Sequence, residues 1–165
     1  PIIFTTMRVA VEDVELGVRL RRRGHAIFIE PELQGQHLKS WHFANLLSTD
    51  IVQRAYPWTR LMQEQPMRAT LNVSTGERLR ALLAWALALS AAVAMTGKGS
   101  FALMFALLAA AIAANAHLFA LFLRTNGMVF ALGAILFHQF AYLYASAAFV
   151  AFRLGWSPRR PPPPT

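Results

Sequence analysis

The chain has 165 residues, of which 56% are hydrophobic, and it carries 16 basic against 8 acidic side chains. Its mean hydropathy of +0.39 is higher than that of a typical soluble globular domain. Every acidic residue lies at or before Glu77, and the basic residues after it flank apolar runs instead of forming one charged face. This distribution indicates a membrane protein and excludes a nucleic-acid binder, and the lack of cysteine excludes disulfides and thiolate metal sites in this chain.

Residues 12–23 are predicted to form an amphipathic helix that Gly24 ends. Acidic side chains occupy its first turn and arginines its last, which matches the helix dipole at both ends, and a glycine after the last turn is a common helix stop. The next stretch, residues 26–30, is short, rich in β-branched and aromatic residues and bounded by Pro31, so we predict a strand. Helix, glycine and strand in this order indicate an α/β fold class.

Apolar residues recur three or four positions apart from Trp41 to Met62, which predicts another helix. Pro57 is expected to interrupt or kink this helix near Tyr56. Two interpretations stay open. The helix packs on an ordinary protein core, or it lies on the bilayer surface, where its tryptophans and basic residues suit the headgroup region.

Three apolar segments follow, and each is predicted to cross the membrane as a helix: residues 79–96, 101–123 and 128–152. About 20 residues at about 1.5 Å rise each are needed to cross about 30 Å of hydrocarbon, a length that the second and third segments exceed and the first just reaches. The short connectors between the segments permit only tight antiparallel hairpins. The tail, residues 157–165, is proline-rich and predicted to be extended and disordered.

Four polar residues stand inside these segments: Asn115, His117, His138 and Gln139. Polar side chains within a membrane are candidates for function. The alternative interpretation is hydrogen bonding between helices, because the alanine-rich run 109–116 would let two helices approach closely. Two separated histidines with no carboxylate between them make a weak case for a metal site.

An ordered series of motifs lies in the first half of the chain. It consists of Glu-Asp-Val-Glu-Leu-Gly-x-Arg-Leu from Glu12, a glycine before the predicted strand, His-Leu-Lys-x-Trp from His37, and Asp-Ile-Val-Gln-Arg-Ala-Tyr-Pro-Trp-Thr from Asp50. From about Val11 to Leu71 this series resembles the C-terminal half of the catalytic domain of family 2 glycosyltransferases. The resemblance implies a partial GT-A nucleotide-sugar fold, followed here by membrane helices as in the membrane-anchored members.

The resemblance also implies roles for single residues. Asp13 would be the general base that deprotonates the acceptor hydroxyl, with Glu12 beside it, and such a base must lie within hydrogen-bond reach of the attacking oxygen. From composition alone, capping of the helix start is the alternative role for this pair of carboxylates. His37 and Lys39 would lie near the donor pyrophosphate or its metal.

Arg54 and Trp58 occupy the region in which relatives carry Gln-x-x-Arg-Trp, whose arginine meets the diphosphate and whose tryptophan lines the acceptor site. This chain departs from that motif, because Ile51 stands three residues before Arg54 and Ala55 directly follows it. The departure argues against processive synthesis of a long polymer.

The resemblance further implies a divalent metal cofactor, Mg²⁺ or Mn²⁺, held mainly by an Asp-x-Asp motif upstream. The chain contains no such motif, since its aspartates are Asp13 and Asp50, and it begins with Pro1 and without a signal region. We therefore interpret the chain as a C-terminal fragment that lacks the donor-binding half and is inactive by itself.

The sequence thus predicts four regions: 1–40, the C-terminal part of the GT-A domain; 41–77, an amphipathic interface helix and loop; 78–156, three transmembrane helices; and 157–165, the tail. The predicted function is non-processive transfer of a sugar from a nucleotide-sugar donor to a membrane-associated, lipid-linked acceptor in the synthesis of a cell-envelope glycan. The alternatives are a processive polysaccharide synthase and a non-catalytic membrane subunit, such as a transporter or flippase component. The expected location is the bacterial inner membrane, with the soluble part cytoplasmic.

Overall fold

The computed structural model describes residues 12–35, 40–64 and 74–158, which are helical over most of their length. In chain order the helices are α1 (Glu12–Arg22), α2 (Phe43–Ser48), a π-helical stretch (Thr49–Ala55), α3 (Tyr56–Glu64), α4 (Thr75–Met95), α5 (Phe101–Ala114) and α6 (Ala116–Arg153). The chain divides into two compact units, one formed by Pro1–Met67 with Ala148–Thr165 and the other by Arg68–Ala147.

Helix α1 ends as its sequence predicts. Gly24 adopts a φ of 81°, in the left-handed region that glycine enters without steric cost. The N–H of His25 donates to the carbonyl of Leu20 at 3.0 Å and the N–H of Gly24 to that of Arg21 at 3.1 Å. This pair of bonds is a Schellman motif, which gives partners to two carbonyls that the end of the helix would otherwise leave unpaired.

The predicted strand at residues 26–30 is wrong, and the α/β fold class is wrong with it. Residues 25–30 form neither helix nor strand, and no strand occurs anywhere in the described ranges. Phe28 and Ile29 are 89% and 91% exposed, so these side chains have no apolar layer to pack against. Strand propensity reflects the fit of a side chain to a half-buried pleated surface, and without such a surface it does not produce a strand.

A continuous helical rod runs from Phe43 to Glu64 through α2, the π-helical stretch and α3. At the end of the π-helical stretch the N–H of Tyr56 bonds to the carbonyl of Ile51, five residues back. Pro57 has no N–H, and its ring crowds the carbonyl four residues before it. A π-helical turn is wider, so it accommodates the proline and the helix continues through Pro57. The interruption or kink expected near Tyr56 is instead a change of helix type.

The C-terminal end of α6 packs on this rod. Phe152 is buried, and its ring meets that of Tyr56 edge to face, with the ring centroids 5.2 Å apart. Trp156 stacks on Phe152, with the two ring centroids 5.2 Å apart. Aromatic pairs in these geometries add stability beyond their buried area.

Helices α4 and α5 pack against each other as a tight hairpin. Each begins at a serine cap: Ser74 Oγ accepts a hydrogen bond from the N–H of Glu77, and Ser100 Oγ from that of Leu103. In the turn between them, a Cβ on Gly99 would lie only 2.6 Å from the backbone nitrogen of Ala94. Glycine is therefore required at position 99 for the close return of the chain.

The second predicted span, residues 101–123, is not a single helix. Asn115 has φ −122° and ψ 22°, outside the helical range, so α5 ends before it and α6 begins after it. α6 is itself broken at Gly127, where φ is 82° and ψ is 177°. We refer to residues 116–126 as α6a and to residues 128–153 as α6b.

Among the described residues, two helices are long and apolar enough to cross a membrane, Thr75–Met95 and the kinked Ala116–Arg153, with mean hydropathies of 1.5 and 1.7. Only 11% of the residues in each apolar window are buried, whereas the core helix of a soluble protein is mostly buried. Large apolar side chains such as Leu82, Leu89 and Val129 are exposed. An apolar surface of this extent indicates that the chain associates with a membrane.

Candidate functional site

Asp13, the predicted general base, is exposed in the first turn of α1, directly after Glu12. Its Oδ1 accepts a hydrogen bond from the N–H of Val14 at 2.8 Å. A carboxylate at a helix N-terminus is stabilised by the helix dipole. A carboxylate accepts hydrogen bonds on both of its oxygens. The Asp13 carboxylate can therefore also accept the proton of a hydroxyl group that binds next to it.

Arg54, the predicted diphosphate contact, is held at the end of the π-helical stretch by side chains of its own unit. Its Nη1 lies 3.0 Å from Asp50 Oδ1, and its guanidinium carbon lies 5.9 Å from the ring centroid of Trp41. The Arg54 side chain is nevertheless 56% exposed. Trp58 follows it one turn later and is half-buried. These contacts are local to the segment from Trp41 to Glu64 and do not join Arg54 to Asp13.

His37 and Lys39, predicted near the donor pyrophosphate, lie outside the described residues. Within residues 12–35, 40–64 and 74–158, no group of three His, Cys, Asp or Glu side chains could hold a metal ion. The divalent metal stays a prediction, because the sequence analysis expects its main ligands upstream of this chain.

A set of five polar side chains, which we call the polar cluster, joins α4 and α6b at the break between α5 and α6a; its members are Glu77, Arg80, Asn115, His138 and Tyr142. Arg80 Nη1 pairs with Glu77 Oε1. Arg80 Nε donates to the backbone carbonyl of Ala114 at 3.0 Å. This carbonyl is at the C-terminal end of α5, where unpaired carbonyls and the helix dipole both favour a cation.

Asn115 is the centre of the polar cluster and is only 9% exposed. Its side-chain Nδ2 donates to the carbonyl of Ala111 at 3.0 Å, while its backbone N–H bonds to the carbonyl of Ile112 at 3.1 Å. The side-chain amide thus takes the place that the backbone N–H has in a regular helix. On its other side, Asn115 Oδ1 lies 3.3 Å from His138 Nε2 and 3.2 Å from the Tyr142 hydroxyl.

The proton donors in the polar cluster follow from the orientation of the Asn115 amide. Because Nδ2 faces a carbonyl, Oδ1 is the acceptor, and His138 must carry a proton on Nε2 to bond to it. The Tyr142 hydroxyl has one proton and donates it to Glu77 Oε2 at 2.8 Å, the shorter of its two contacts. The cluster therefore contains one carboxylate, one guanidinium and a network of hydrogen bonds between helices.

The polar cluster lies at the start of α4 and midway along α6b. Tyr142 stands 14 residues after Met128, which is about 21 Å along α6b at about 1.5 Å per residue. Exposed apolar side chains lie on both sides of the cluster, with Val129 toward one end of the helices and Leu89 toward the other. A charged pair among apolar helices is costly unless its polar groups find partners within the protein, and the cluster supplies such partners.

Sequence reasoning finds part of this site. Of the four polar residues predicted inside the spans, Asn115 and His138 belong to the polar cluster and hydrogen-bond between helices, as the alternative interpretation expects. His117 is exposed, and Gln139 Nε2 is buried without a hydrogen-bond partner among the described residues. Tyr142 is missed, although it stands one helical turn after His138 and on the same face.

Glu77 and Arg80 are also missed as site residues. In the sequence they stand beside the first apolar segment, where charges usually mark the membrane surface. No family model, curated protein or solved structure matches this chain.

Proposed function

We propose that this protein is a membrane-bound glycosyltransferase that moves a sugar from a nucleotide-sugar donor to a membrane-associated acceptor. The observation that carries the proposal is the ordered motif series from Glu12 to Trp58, in which Asp13 is exposed at the start of a helix. The series contains a carboxylate that can accept a proton and a guanidinium that can bind a diphosphate. It also contains an aromatic ring that can stack on the face of a sugar. The proposal does not rest on an α/β fold.

In the proposed reaction the acceptor hydroxyl oxygen forms a bond to the anomeric carbon of the donor sugar. The bond from that carbon to the diphosphate oxygen breaks, and the nucleoside diphosphate leaves with the electron pair. The hydroxyl proton passes to the Asp13 carboxylate as the new bond forms. A base positioned in this way typically contributes about 10²-fold to 10⁴-fold to the rate.

Arg54 is proposed to bind the leaving diphosphate. Its planar guanidinium can donate two parallel hydrogen bonds to phosphate oxygens, which the point charge of a lysine cannot match. Asp50 and Trp41 restrict the position of the Arg54 side chain, while its 56% exposure keeps it accessible to a ligand. Trp58, one turn later, is proposed to lie on the acceptor side.

The apolar surfaces of α4 and α6 support a membrane-associated acceptor, because an enzyme anchored in the bilayer meets a lipid-linked substrate by diffusion in two dimensions. We place the protein in the bacterial inner membrane with Asp13 and Arg54 on the cytoplasmic side, where nucleotide-sugars are made. Addition of one or a few sugars fits the departure from the processive motif at Ile51 and Ala55.

The test uses the full-length protein in lipid nanodiscs, a panel of UDP- and GDP-hexoses, and a glycolipid acceptor with a free sugar hydroxyl. Release of nucleoside diphosphate that depends on the glycolipid is the expected result. Asp13→Asn should lower turnover at least about 100-fold, the effect of a lost general base, and leave the KM for the donor nearly unchanged.

Glu15→Gln is the matched control, because it removes a carboxylate from the same helix that pairs with Arg19 and has no place in the proposed reaction. Its turnover should stay close to that of the wild type. If Asp13→Asn remains active while Glu12→Gln does not, the base is assigned to the wrong member of the pair. If no hexose is transferred from any donor of the panel, the proposed function is wrong.

A second candidate function, a non-catalytic subunit of a lipid transporter, is favoured by the polar cluster, since an inert anchor has no need of an ion pair among apolar helices. Translocation of fluorescent lipid in proteoliposomes tests this candidate. Translocation that persists in Asp13→Asn and is lost in Arg80→Gln would favour it over the transferase.

A further inference from the structure

The break between α5 and α6a occurs without a proline or a glycine. Helix kinks usually arise from proline, from glycine or serine pairs, from π-bulges, or from a side chain inserted among the backbone hydrogen bonds. Residues 109–116 read Ala-Ala-Ala-Ile-Ala-Ala-Asn-Ala, and alanine is the best helix former. By local preference, residues 101–126 would form one continuous helix.

Side chains from two other helices hold the break. Arg80 of α4 binds the carbonyl of Ala114, and His138 of α6b donates to Oδ1 of Asn115. With its amide so fixed, Asn115 donates through Nδ2 to the carbonyl of Ala111. The break therefore combines the inserted side chain of Asn115 with contacts from two other helices that fix its position.

We propose that the junction between α5 and α6a is a two-state conformational element: the polar cluster holds it as a broken helix, and opening of the cluster lets it form a continuous helix. In the continuous state the N–H of Asn115 returns to the carbonyl of Ala111, and the carbonyl of Ala114 pairs with the N–H of Leu118. Each backbone carbonyl that loses a side-chain partner gains a backbone partner. The two states thus differ mainly in whether the hydrogen bonds and the ion pair of the polar cluster are formed.

The ion pair between Glu77 and Arg80 is the part of this element that another molecule or a change of charge can reach. Both side chains are about one-third exposed, whereas Asn115 is buried. A polar group that draws Arg80 away from Ala114 removes one of the contacts that hold the break. The shape of the middle membrane segment is thereby coupled to the state of the ion pair, as in other switches built on two alternative packings.

Distance measurement between two spin labels tests the proposal. Leu103 and Leu121 are exposed and 18 residues apart, which is five turns and about 27 Å in a continuous helix. Cysteines at these two positions label specifically in this chain, which has no cysteine of its own. In the full-length protein in nanodiscs, the wild type should give a distance distribution distinct from that of a straight helix. Asn115→Leu and Arg80→Gln should shift it toward about 27 Å.

Ser146→Ala is the matched control, because it removes the hydrogen bond between Trp85 and α6b and leaves the polar cluster intact. Its distance distribution should equal that of the wild type. If Asn115→Leu fails to fold, Tyr142→Phe provides the test, since it removes the hydroxyl that holds Glu77 of the ion pair and should populate the 27 Å distance in part. An unchanged distribution in Arg80→Gln and Tyr142→Phe, or a wild type already at 27 Å, would overturn the proposal.

Discussion

The Tyr142 hydroxyl offers the most direct measurement of the polar cluster. Tyr142→Phe keeps the ring, and with it the edge-to-face contact to His138 at 4.7 Å between centroids. It removes only the hydroxyl that donates to Glu77 Oε2 at 2.8 Å. Asn115 Oδ1 keeps His138 as a donor, so the substitution leaves no buried acceptor without a partner.

The expected cost follows from the charge of the acceptor. A hydrogen bond to a charged group contributes about 1.5–3 kcal/mol in soluble proteins, whereas bonds between membrane helices average about 0.6 kcal/mol and reach about 1.7 kcal/mol. Because the acceptor is a carboxylate among apolar helices, we expect Tyr142→Phe to cost about 1.5 kcal/mol. Trp85→Phe, which removes a neutral bond from Nε1 to Ser146 Oγ at 2.9 Å, should cost about 0.6 kcal/mol.

Equilibrium unfolding of the full-length protein in mixed micelles with increasing SDS measures both costs. Glu77→Gln should cost about 2–3 kcal/mol, because it leaves the Arg80 charge without its counter-ion and the pair is partly screened by its exposure. Combined in a double-mutant cycle, Tyr142→Phe and Glu77→Gln should show a coupling of about 1 kcal/mol. A coupling near zero, or a larger cost for Trp85→Phe than for Tyr142→Phe, would contradict the assigned donor and acceptor.

Two further predictions concern the turn before α6b and the diphosphate contact. Gly127→Ala should destabilise the protein by about 1–3 kcal/mol, because its φ of 82° and ψ of 177° suit only glycine. The cost comes from backbone strain and not from crowding, since no atom lies within 4 Å of the added Cβ. Gly133→Ala, at a helical position with equal space, should be neutral or stabilising in the same unfolding assay. Arg54→Lys should weaken binding of the nucleoside diphosphate product at least several-fold, as measured by calorimetry, whereas the control Arg60→Lys should not. If Arg54→Lys binds the product as tightly as the wild type, Arg54 is only a surface charge.

Helix ends are the part of the fold that the sequence predicts best, because their signals are local. Gly24 ends α1, and the glycines of residues 97–99 close the α4–α5 hairpin, where the sequence analysis expects a helix stop and a connector. A positive φ or a close backbone approach selects glycine whatever the rest of the chain does. Helix ends and turns at such glycines can therefore be predicted from the sequence without knowledge of tertiary contacts.

The predicted strand fails because strand formation is not local. Residues 26–30 have suitable side chains, but a strand needs hydrogen-bonding partners in a neighbouring strand and an apolar layer against one face. With Phe28 and Ile29 almost fully exposed, neither condition is met in the described residues. The order of helix, glycine and strand-like segment is typical of an α/β unit. An α/β unit also requires a neighbouring strand, and the described residues contain none.

The candidate site was only partly predictable for a related reason. The motif series marks Asp13 and Arg54 because their identity and spacing are features of the sequence itself. Asn115 and His138 attract notice because amide and imidazole groups are rare in apolar runs. Their partners could not be assigned, since the pairing of Asn115 with His138 and of Arg80 with Ala114 depends on how separate helices meet.

Glu77 and Arg80 show why charges are an incomplete guide to the limits of a membrane segment. A charged residue beside an apolar run ordinarily marks the membrane surface, because an unpaired charge stays in water. Here the carboxylate binds Tyr142 and the guanidinium binds both the carboxylate and the end of α5, so the pair has protein partners for its polar groups. Since Tyr142 lies about 21 Å along α6b, the same contacts that satisfy the pair also hold it far from either end of that helix. The pairing of the two charges with each other and with the broken helix thus offsets part of the cost of placing them beside apolar helices.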